Sequence, residues 1–323
     1  MLAGMKLVVP VLAYRAISPV CGVPPAEFSA HLEALARAGW RSVSVSELVD
    51  FLKSGKPIRE KPYAITFDDT YLDNWVYALP VLRRSGVRAS FGCVSAYLHD
   101  GPPRPQATGD ASSLPALPTS REAWDLALEE DDYSAFMSRA ELRALVAAEG
   151  HELLGHTHTH QLCFASARPG PPSADAEPYG GVHGIFPEPE GDGLSWPVAS
   201  AYACDGFWPG NAIGDGLLHR STAERIEFCT TEFALNRERI REAAGVEPRA
   251  LLWPLGVCDA ASVQAASLAG FEAAFTDESG PNRPGSDLFR LHRERVESGT
   301  PTGELLRRLD KLVTPSLWQR IFA

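Results

Sequence analysis

The sequence predicts a parallel β/α barrel. Short apolar segments of strand length alternate with amphipathic helical segments about seven times along the 323 residues. Several of these helices are opened by proline or serine and closed by glycine, which is the usual asymmetry of helix ends. This number of consecutive βα units favours a barrel over an open sheet.

The first half of the chain supplies the first strands and helices of this barrel. Ser46 is expected to cap the second helix, because a serine side chain can accept a hydrogen bond from a backbone N–H of the first turn. The predicted elements are strand 6–13, helix 24–39, strand 41–45, helix 47–55, strand 61–69, helix 74–86 and strand 87–98.

The second half continues the alternation after an irregular stretch. Ser138 opens a helix that ends at Gly150, and Ser221 with Glu224 forms a capping-box pattern for a long helix that ends near Gly245. The predicted elements are helix 139–150, strand 151–155, helix 222–245, strand 249–256, a helix to 270, strands 271–276 and 288–296, and terminal helices.

Composition excludes several classes of protein. The net charge of −11 is spread along the chain without a Lys/Arg stripe, which argues against binding to nucleic acid or to an anionic membrane. No apolar run approaches the roughly 20 residues that span a bilayer. The apolar N-terminal segment is interrupted by Pro10 and is interpreted as a buried strand, not a leader. Six scattered cysteines without a CxxC pair favour a cytoplasmic protein with free thiols.

Two long segments, 98–137 and 163–220, interrupt the alternation. Each follows a strand and precedes the next long helix, which in a β/α barrel places it on the C-terminal face where active sites are built. A disordered linker is the alternative for both. The second segment contains several aromatic residues, including Trp208, and is therefore predicted to be an ordered lid that contributes aromatic contacts to the substrate.

Three histidines alternate in residues 152–160, which read ELLGHTHTH. Metal–ligand bonds are about 2 Å long, so two ligating rings must lie close together. Residues four apart are roughly 13 Å apart in a strand but about 6 Å apart in a helical turn. If His156 and His160 share a metal, the chain must turn directly after the strand, and His158 points away. Solvated loop histidines are the alternative interpretation.

Two adjacent carboxylates, Asp68 and Asp69, end the apolar strand 61–69. Such a pair is costly to bury unless a cation or hydrogen bonds compensate. Successive strand residues point in different directions, so one carboxylate can bind a metal while its neighbour acts on water bound to that metal. An exposed Asp–Asp turn or a helix cap is the alternative.

These motifs together resemble the polysaccharide deacetylases of carbohydrate esterase family 4, the NodB-homology fold. The resemblance rests on VPVLAYR, on AITFDD and the helix and strand after it, on MSRAELRALVAAEGHELLGHTHTH and on LLWPLGVCD. It implies a single catalytic domain over 1–323, folded as a distorted (β/α)7 barrel with insertions at about 98–137 and 163–220.

The resemblance also implies roles for individual residues. Asp68 corresponds to the catalytic base, and the backbone N–H of Leu255 corresponds to the oxyanion donor of the family's Pro-Tyr-Gly turn. Asp69, His156 and His160 correspond to the ligands of one divalent ion. Zinc is expected there, and cobalt, nickel and manganese also suit such ligands. Trp253, beside the turn, is expected to contact the substrate.

The implied activity is metal-dependent hydrolysis. The metal would acidify a bound water and polarise the acyl carbonyl, and Asp68 would take the proton. We therefore expect removal of an N-acyl group, such as acetyl, from a sugar or a small biosynthetic intermediate. Two alternatives stay open: a catalytically silent protein that keeps the metal site as a ligand clamp, and a hydrolase of another non-peptide C–N bond, such as a formamide or a cyclic amide.

The chain departs from the family at the first strand, where Arg15 follows Tyr14 in place of a histidine that protonates the leaving amine. Arginine cannot be a general acid near neutral pH. His292 on the last strand is a candidate replacement, with His183 and His219 as weaker ones, or Asp68 makes both proton transfers.

Arg15 itself predicts an anionic substrate. A guanidinium on the catalytic face can bind a carboxylate or phosphate, or stabilise the oxyanion. An arginine that only pairs with barrel carboxylates is the alternative.

Two further departures from the family concern Thr70 and a missing arginine. Thr70 stands where the family commonly has glycine, so a positive φ there would strain a β-branched residue. No counterpart of the arginine before the family's Pro-Tyr-Gly turn is visible in the sequence.

Overall fold

The computed structural model describes residues 7–56, 58, 61–108, 114–115, 117–171, 193–209 and 217–314. Its strands in chain order are β1 (Val11–Tyr14), β2 (Arg41–Ser42), β3 (Pro62–Phe67), β4 (Ser90–Cys93), β5 (Glu152–Gly155), β6 (Leu162–Phe164), β7 (Val198–Ser200), β8 (Phe207–Pro209), β9 (Leu217–His219), β10 (Ala250–Leu252), β11 (Ala273–Phe275) and β12 (Glu294–Arg295).

The helices occupy the connections between the strands of the barrel. In chain order they are α1 (Pro25–Arg37), α2 (Val45–Ser54), a π-helical turn (Asn74–Ala78) that continues into α3 (Leu79–Ser85), α4 (Ser120–Glu129), α5 (Arg139–Glu149), α6 (Thr222–Ala244), α7 (Ala260–Leu268) and α8 (Thr302–Val313).

Seven parallel strands form the main sheet, in the order β11-β10-β5-β4-β3-β1-β12. The short β2 pairs with the start of β3. Leu291, three residues before β12, bridges to Phe275 of β11, while Glu294 pairs with Leu12 of β1. The last segment thus links the two ends and curls the sheet. The predicted β/α barrel, in its distorted (β/α)7 form, is confirmed.

The strands are buried on both faces because helices cover the outside of the sheet. All residues of β1, β3 and β4 are buried. Phe67 and Phe91 stack across β3 and β4 with their ring centroids 4.8 Å apart. This packing fixes the relative positions of the strand ends that carry the polar residues described below.

Most predicted helix starts are confirmed, and one is wrong. Ser138 and Ser221 each accept a hydrogen bond from the backbone N–H three residues later, as predicted. Helix α2 is capped by Ser44 and not by Ser46, because Ser44 has Glu47 at the third helical position and the two residues complete a reciprocal capping box.

Both interrupting segments contain regular structure where they are described. The first includes α4, and Trp124 of this helix joins a buried aromatic cluster with Tyr97 and Phe136. The second forms a four-stranded antiparallel sheet in the order β7-β6-β8-β9. His183 lies outside the described residues.

Two of the remaining expectations concern cysteines and membrane spans. All six cysteines carry free thiols, as the sequence predicts. Within the described part of the chain, no helix is both long and apolar enough to cross a bilayer.

Candidate metal centre

Two strand ends on one side of the barrel supply the predicted ligands. Asp68 and Asp69 directly follow β3, and His156 directly follows β5, with β4 between the two strands. Parallel neighbours end at the same edge of a sheet, so these side chains converge on its C-terminal face.

The chain turns sharply after β5. Thr157 and His160 have left-handed backbones, with φ of 66° and 50°, and the Thr157 hydroxyl accepts a hydrogen bond of 2.9 Å from the His160 N–H. The rings of His156 and His160 lie 4.7 Å apart, centroid to centroid. His158 instead has its Nδ1 2.9 Å from the Ser95 hydroxyl. The turn therefore brings the outer two histidines together and excludes the middle one.

Asp69, His156 and His160 form one buried group whose potential ligand atoms all lie within 4.8 Å of one another. Asp69 Oδ1 lies 3.2 Å from His156 Nε2 and 4.0 Å from His160 Nε2. This oxygen is buried and makes no hydrogen bond of good geometry in the described structure. A buried carboxylate oxygen that faces two imidazole nitrogens and lacks a hydrogen-bond partner would be satisfied by a metal ion bound to all three atoms.

The protonation states of Asp69 and His160 also fit a cation, whereas for His156 burial lowers the pKa but contact with Asp69 outweighs it and raises the pKa above its ordinary value. His156 Nδ1 lies 2.9 Å from the Leu252 carbonyl oxygen, so Nδ1 carries the hydrogen and Nε2 faces the group. Burial alone would raise the pKa of Asp69, but the close contact with His156, followed by the charges of His160 and Arg15, brings it below its ordinary value. Burial, with His156 as the next cause, lowers the pKa of His160 to about 3. Asp69 is thus ionised and His160 neutral at neutral pH.

Asp68 is held by Arg293, a residue that sequence reasoning missed. Arg293 donates from Nη1 to Asp68 Oδ1 at 2.5 Å and from Nη2 to Oδ2 at 3.2 Å, and its guanidinium also pairs with Asp277. Burial raises the pKa of Asp68, but the charge of Arg293 outweighs it and leaves the pKa below its usual value. Asp68 is therefore an ionised, oriented acceptor beside the Asp69–His156–His160 group.

The segment just before β12 brings Arg293, and not His292, to Asp68 and Asp277. The backbone of His292 bonds to the Asn282 side chain at 2.9 and 2.8 Å, and its ring packs on Gly280. Arg293 and His292, which directly precede β12, therefore make separate sets of contacts. His219 lies on β9, with its ring 4.9 Å from that of Phe207. Neither histidine has a described contact with the candidate centre.

Arg15 does enter the candidate centre. Its Nε lies 3.7 Å from Asp69 Oδ2, and its side chain is 32% exposed. Its charge contributes to lowering the pKa of both Asp69 and His160. The ion pair agrees with the alternative that Arg15 only pairs with carboxylates of the barrel. The partial exposure of its side chain, however, leaves the guanidinium within reach of a ligand.

Trp253, directly after β10, does not have the exposed position that a substrate contact requires. Its side chain is fully buried, and the indole N–H donates to the Phe289 carbonyl at 2.9 Å. Trp253 is therefore a core residue, not the expected substrate contact. Leu255 has a left-handed φ of 59° and follows Leu252, whose carbonyl contacts His156, by three residues.

Two other expected features can be located, together with one unexpected neighbour. Thr70 has the positive φ that was expected to strain it, at 53°, and its hydroxyl donates to the Asp69 carbonyl at 2.6 Å. The backbone of Trp208 pairs with Leu218, while its side chain lies outside the described structure. An unexpected aromatic neighbour is Trp124, whose ring lies 5.0 Å from that of His160.

Fold and site together define a β/α-barrel protein with a two-histidine, one-aspartate group capable of holding a metal. Residues 55–177 match the family model for polysaccharide deacetylase. YxkH of Bacillus subtilis (strain 168), a polysaccharide deacetylase by name, is 39% identical over 83 residues, 25% of this chain and 30% of YxkH. The poly-beta-1,6-N-acetyl-D-glucosamine N-deacetylase of Escherichia coli O157:H7 is 21% identical over 242 residues, 75% of this chain and 29% of that protein. The chain thus spans about 30% of the length of these relatives.

Solved structures agree on the fold. The de-N-acetylase from Aggregatibacter actinomycetemcomitans superposes with a TM-score of 0.65 at 17% identity, covering 94% of this chain and 100% of that one. The deacetylase PplD of Streptococcus pyogenes gives 0.60 at 15% identity, covering 96% and 100%. The family match over residues 55–177 and the named relatives support a divergent member of the polysaccharide deacetylase family, as the motifs predict.

Proposed function

We propose that this protein is a metal-dependent deacetylase that hydrolyses an N-acyl group. The observation that carries the proposal is the buried Asp69–His156–His160 group with the arginine-bound Asp68 beside it. A divalent ion held by the three residues would supply Lewis acidity for water and for the acyl carbonyl. We propose zinc, because two imidazoles and a carboxylate with an open side are typical of catalytic zinc sites.

Asp68 is the proposed general base. It is ionised, since Arg293 lowers its pKa, and it lies next in sequence to the ligand Asp69. The proton that it accepts from water must later reach the leaving amine. Arg15 cannot release a proton near neutral pH, and the described contacts of His292 lie elsewhere. We therefore assign both transfers to Asp68.

The oxyanion that forms on the acyl carbon needs a donor besides the metal. The positive φ of Leu255 turns its peptide within the tight turn after β10, next to the strand end that contacts His156. We propose that the Leu255 N–H donates to the oxyanion, where a preorganised donor is worth about 3 kcal/mol.

The substrate is proposed to be a small N-acyl sugar or biosynthetic intermediate with an anionic group. With a divalent ion bound, the positive charges of the ion, Arg15 and Arg293 exceed the negative charges of Asp68, Asp69 and Asp277 by one. A partly exposed guanidinium beside this centre suits a carboxylate or phosphate of the substrate. We further propose a cytoplasmic location, which the free thiols favour.

Metal analysis combined with an amine-release assay tests the proposal. Purified protein is expected to contain one zinc per chain and to release amine from one or more members of a panel of N-acetyl and N-formyl sugars, with and without acidic groups. Removal of the metal by a chelator should abolish release, and added zinc should restore it. Stoichiometric metal without amine release from any member would favour the silent ligand clamp instead.

A further inference from the structure

The turn that carries His156 and His160 needs support from outside itself. Two of its residues, Thr157 and His160, are not glycine yet have φ of 66° and 50°. Such a backbone conformation strains a residue other than glycine and persists only where the surroundings determine it. The positions of both histidine rings therefore depend on what holds this turn.

Helix α6 holds the turn through two side chains that lie four residues apart on one face. Asn236 Nδ2 donates to the Thr157 carbonyl at 2.6 Å and to the Cys93 carbonyl at 2.9 Å. Glu232 Oε2 accepts from the Thr159 N–H at 2.9 Å and from the Thr159 hydroxyl at 2.8 Å. Both side chains are more than nine-tenths buried.

The second interrupting segment adds a third support through Tyr202. This tyrosine is fully buried, and its hydroxyl donates to Glu232 Oε2 at 2.7 Å. The same hydroxyl accepts from the Gln161 N–H at 3.2 Å. Glu232 and Tyr202 thus bind the residue before His160 and the residue after it.

We infer that Tyr202 and Glu232 are positioning residues that preorganise the turn for the metal, so that the second interrupting segment sets metal affinity. The inference rests on the proposed metal site and deepens it. Groups that orient metal ligands typically change metal affinity 10- to 100-fold when they are removed. Neither residue is assigned contact with the substrate.

The test is the zinc affinity of Tyr202→Phe, measured on metal-free protein by competition with a chromogenic chelator. The variant removes one hydroxyl and is expected to raise the zinc Kd about 10- to 100-fold. The matched control is Tyr14→Phe, which removes a buried hydroxyl that contacts His31 Nδ1 at 3.2 Å. Its zinc Kd should equal that of the wild type.

Thermal unfolding of the metal-free proteins separates positioning from general stability. The two tyrosine variants should lose similar stability without metal, whereas the stabilisation gained on adding zinc should shrink only in Tyr202→Phe. Glu232→Gln keeps an acceptor oxygen but loses the charge, so its zinc Kd is expected to lie between those of the wild type and Tyr202→Phe. If Tyr202→Phe does not fold, the zinc Kd of Glu232→Gln tests the inference.

If Tyr202→Phe folds and binds zinc with wild-type affinity, the inference is overturned and the proposed function stays intact. The same holds for Glu232→Gln where Tyr202→Phe does not fold. A wild-type protein that binds no zinc at all would instead overturn the proposed function.

Discussion

Asp68 and Asp69 are neighbours in sequence, yet each has its own cationic partner. Asp68 is bound by Arg293 through both carboxylate oxygens, whereas Asp69 faces His156 and Arg15. Without these partners two adjacent buried carboxylates would not both ionise. This separation of partners would let Asp69 act as the proposed metal ligand and Asp68 as the proposed base.

Replacing the base should leave the metal site intact. Asp68→Asn keeps the shape of the side chain but cannot take a proton, so turnover is expected to fall by at least about 10²- to 10⁴-fold. Zinc content should stay at the wild-type value because Asp69 and the two histidines are unchanged. Near-native turnover in this variant would remove Asp68 from the mechanism.

The histidines offer an internally controlled pair of variants. His156→Ala removes a ring that faces Asp69, and purified protein should lose its stoichiometric metal. His158→Ala removes the ring that contacts Ser95 instead, and metal content should be retained. Metal analysis of both proteins is sufficient, and equal losses would show that the ligand set is wrong.

We expect Arg15 to distinguish substrates by their charge. Arg15→His is expected to raise KM for an acidic N-acyl substrate on the order of tenfold or more, because charge-assisted hydrogen bonds are lost. The KM of a neutral analogue should change little, and zinc content serves as the control. A gain of turnover with unchanged KM would mean that the position carries a proton donor and not an anion receptor.

Individual strands show how far the sequence predicts the site. The spacing of His156 and His160 predicts a turn after β5, because no straight strand allows them to meet, and the structure has that turn. The last strand was predicted as an element, but strand periodicity alone does not say which of its two faces points into the barrel. Arg293 was therefore missed in favour of His292. Tyr202 was missed as a support because its contacts join segments distant in sequence.

Arg293 should control the pH dependence of catalysis through Asp68. It lowers the pKa of Asp68, so weakening the pair raises that pKa, and the base is then protonated at a higher pH. For Arg293→Lys, which loses the bidentate contact, we expect the acidic limb of kcat/KM to move upward by up to about a unit. Arg225→Lys is the matched control, since this buried arginine pairs with Asp205 and Asp259 instead. Its acidic limb should not move.

At the scale of the whole molecule, both interrupting segments meet the barrel beside His160. Helix α4 of the first brings Trp124 to 5.0 Å from the His160 ring. The second segment follows His160 almost directly, with β6 beginning at Leu162, and returns to it through Tyr202. The residues that carry the candidate chemistry come from the barrel, whereas the surroundings of one ligand come from segments that interrupt it. We expect the two segments to shape the approach to the centre, because they contribute these neighbours of His160.

We therefore expect the length of the substrate to limit the rate. If the two segments narrow the approach to the centre, a long chain cannot place an internal acetyl group beside Asp68 without losing contacts elsewhere. A series of N-acetylglucosamine oligomers from monomer to polymer, assayed for amine release per acetyl group, should show kcat/KM falling with length by roughly tenfold or more. The matched comparison is a series carrying a terminal acidic group, whose short members should be preferred through Arg15. A rate per acetyl group that stays constant or rises toward the polymer would show that the centre is open to chains, and the proposal of a small substrate would then fail.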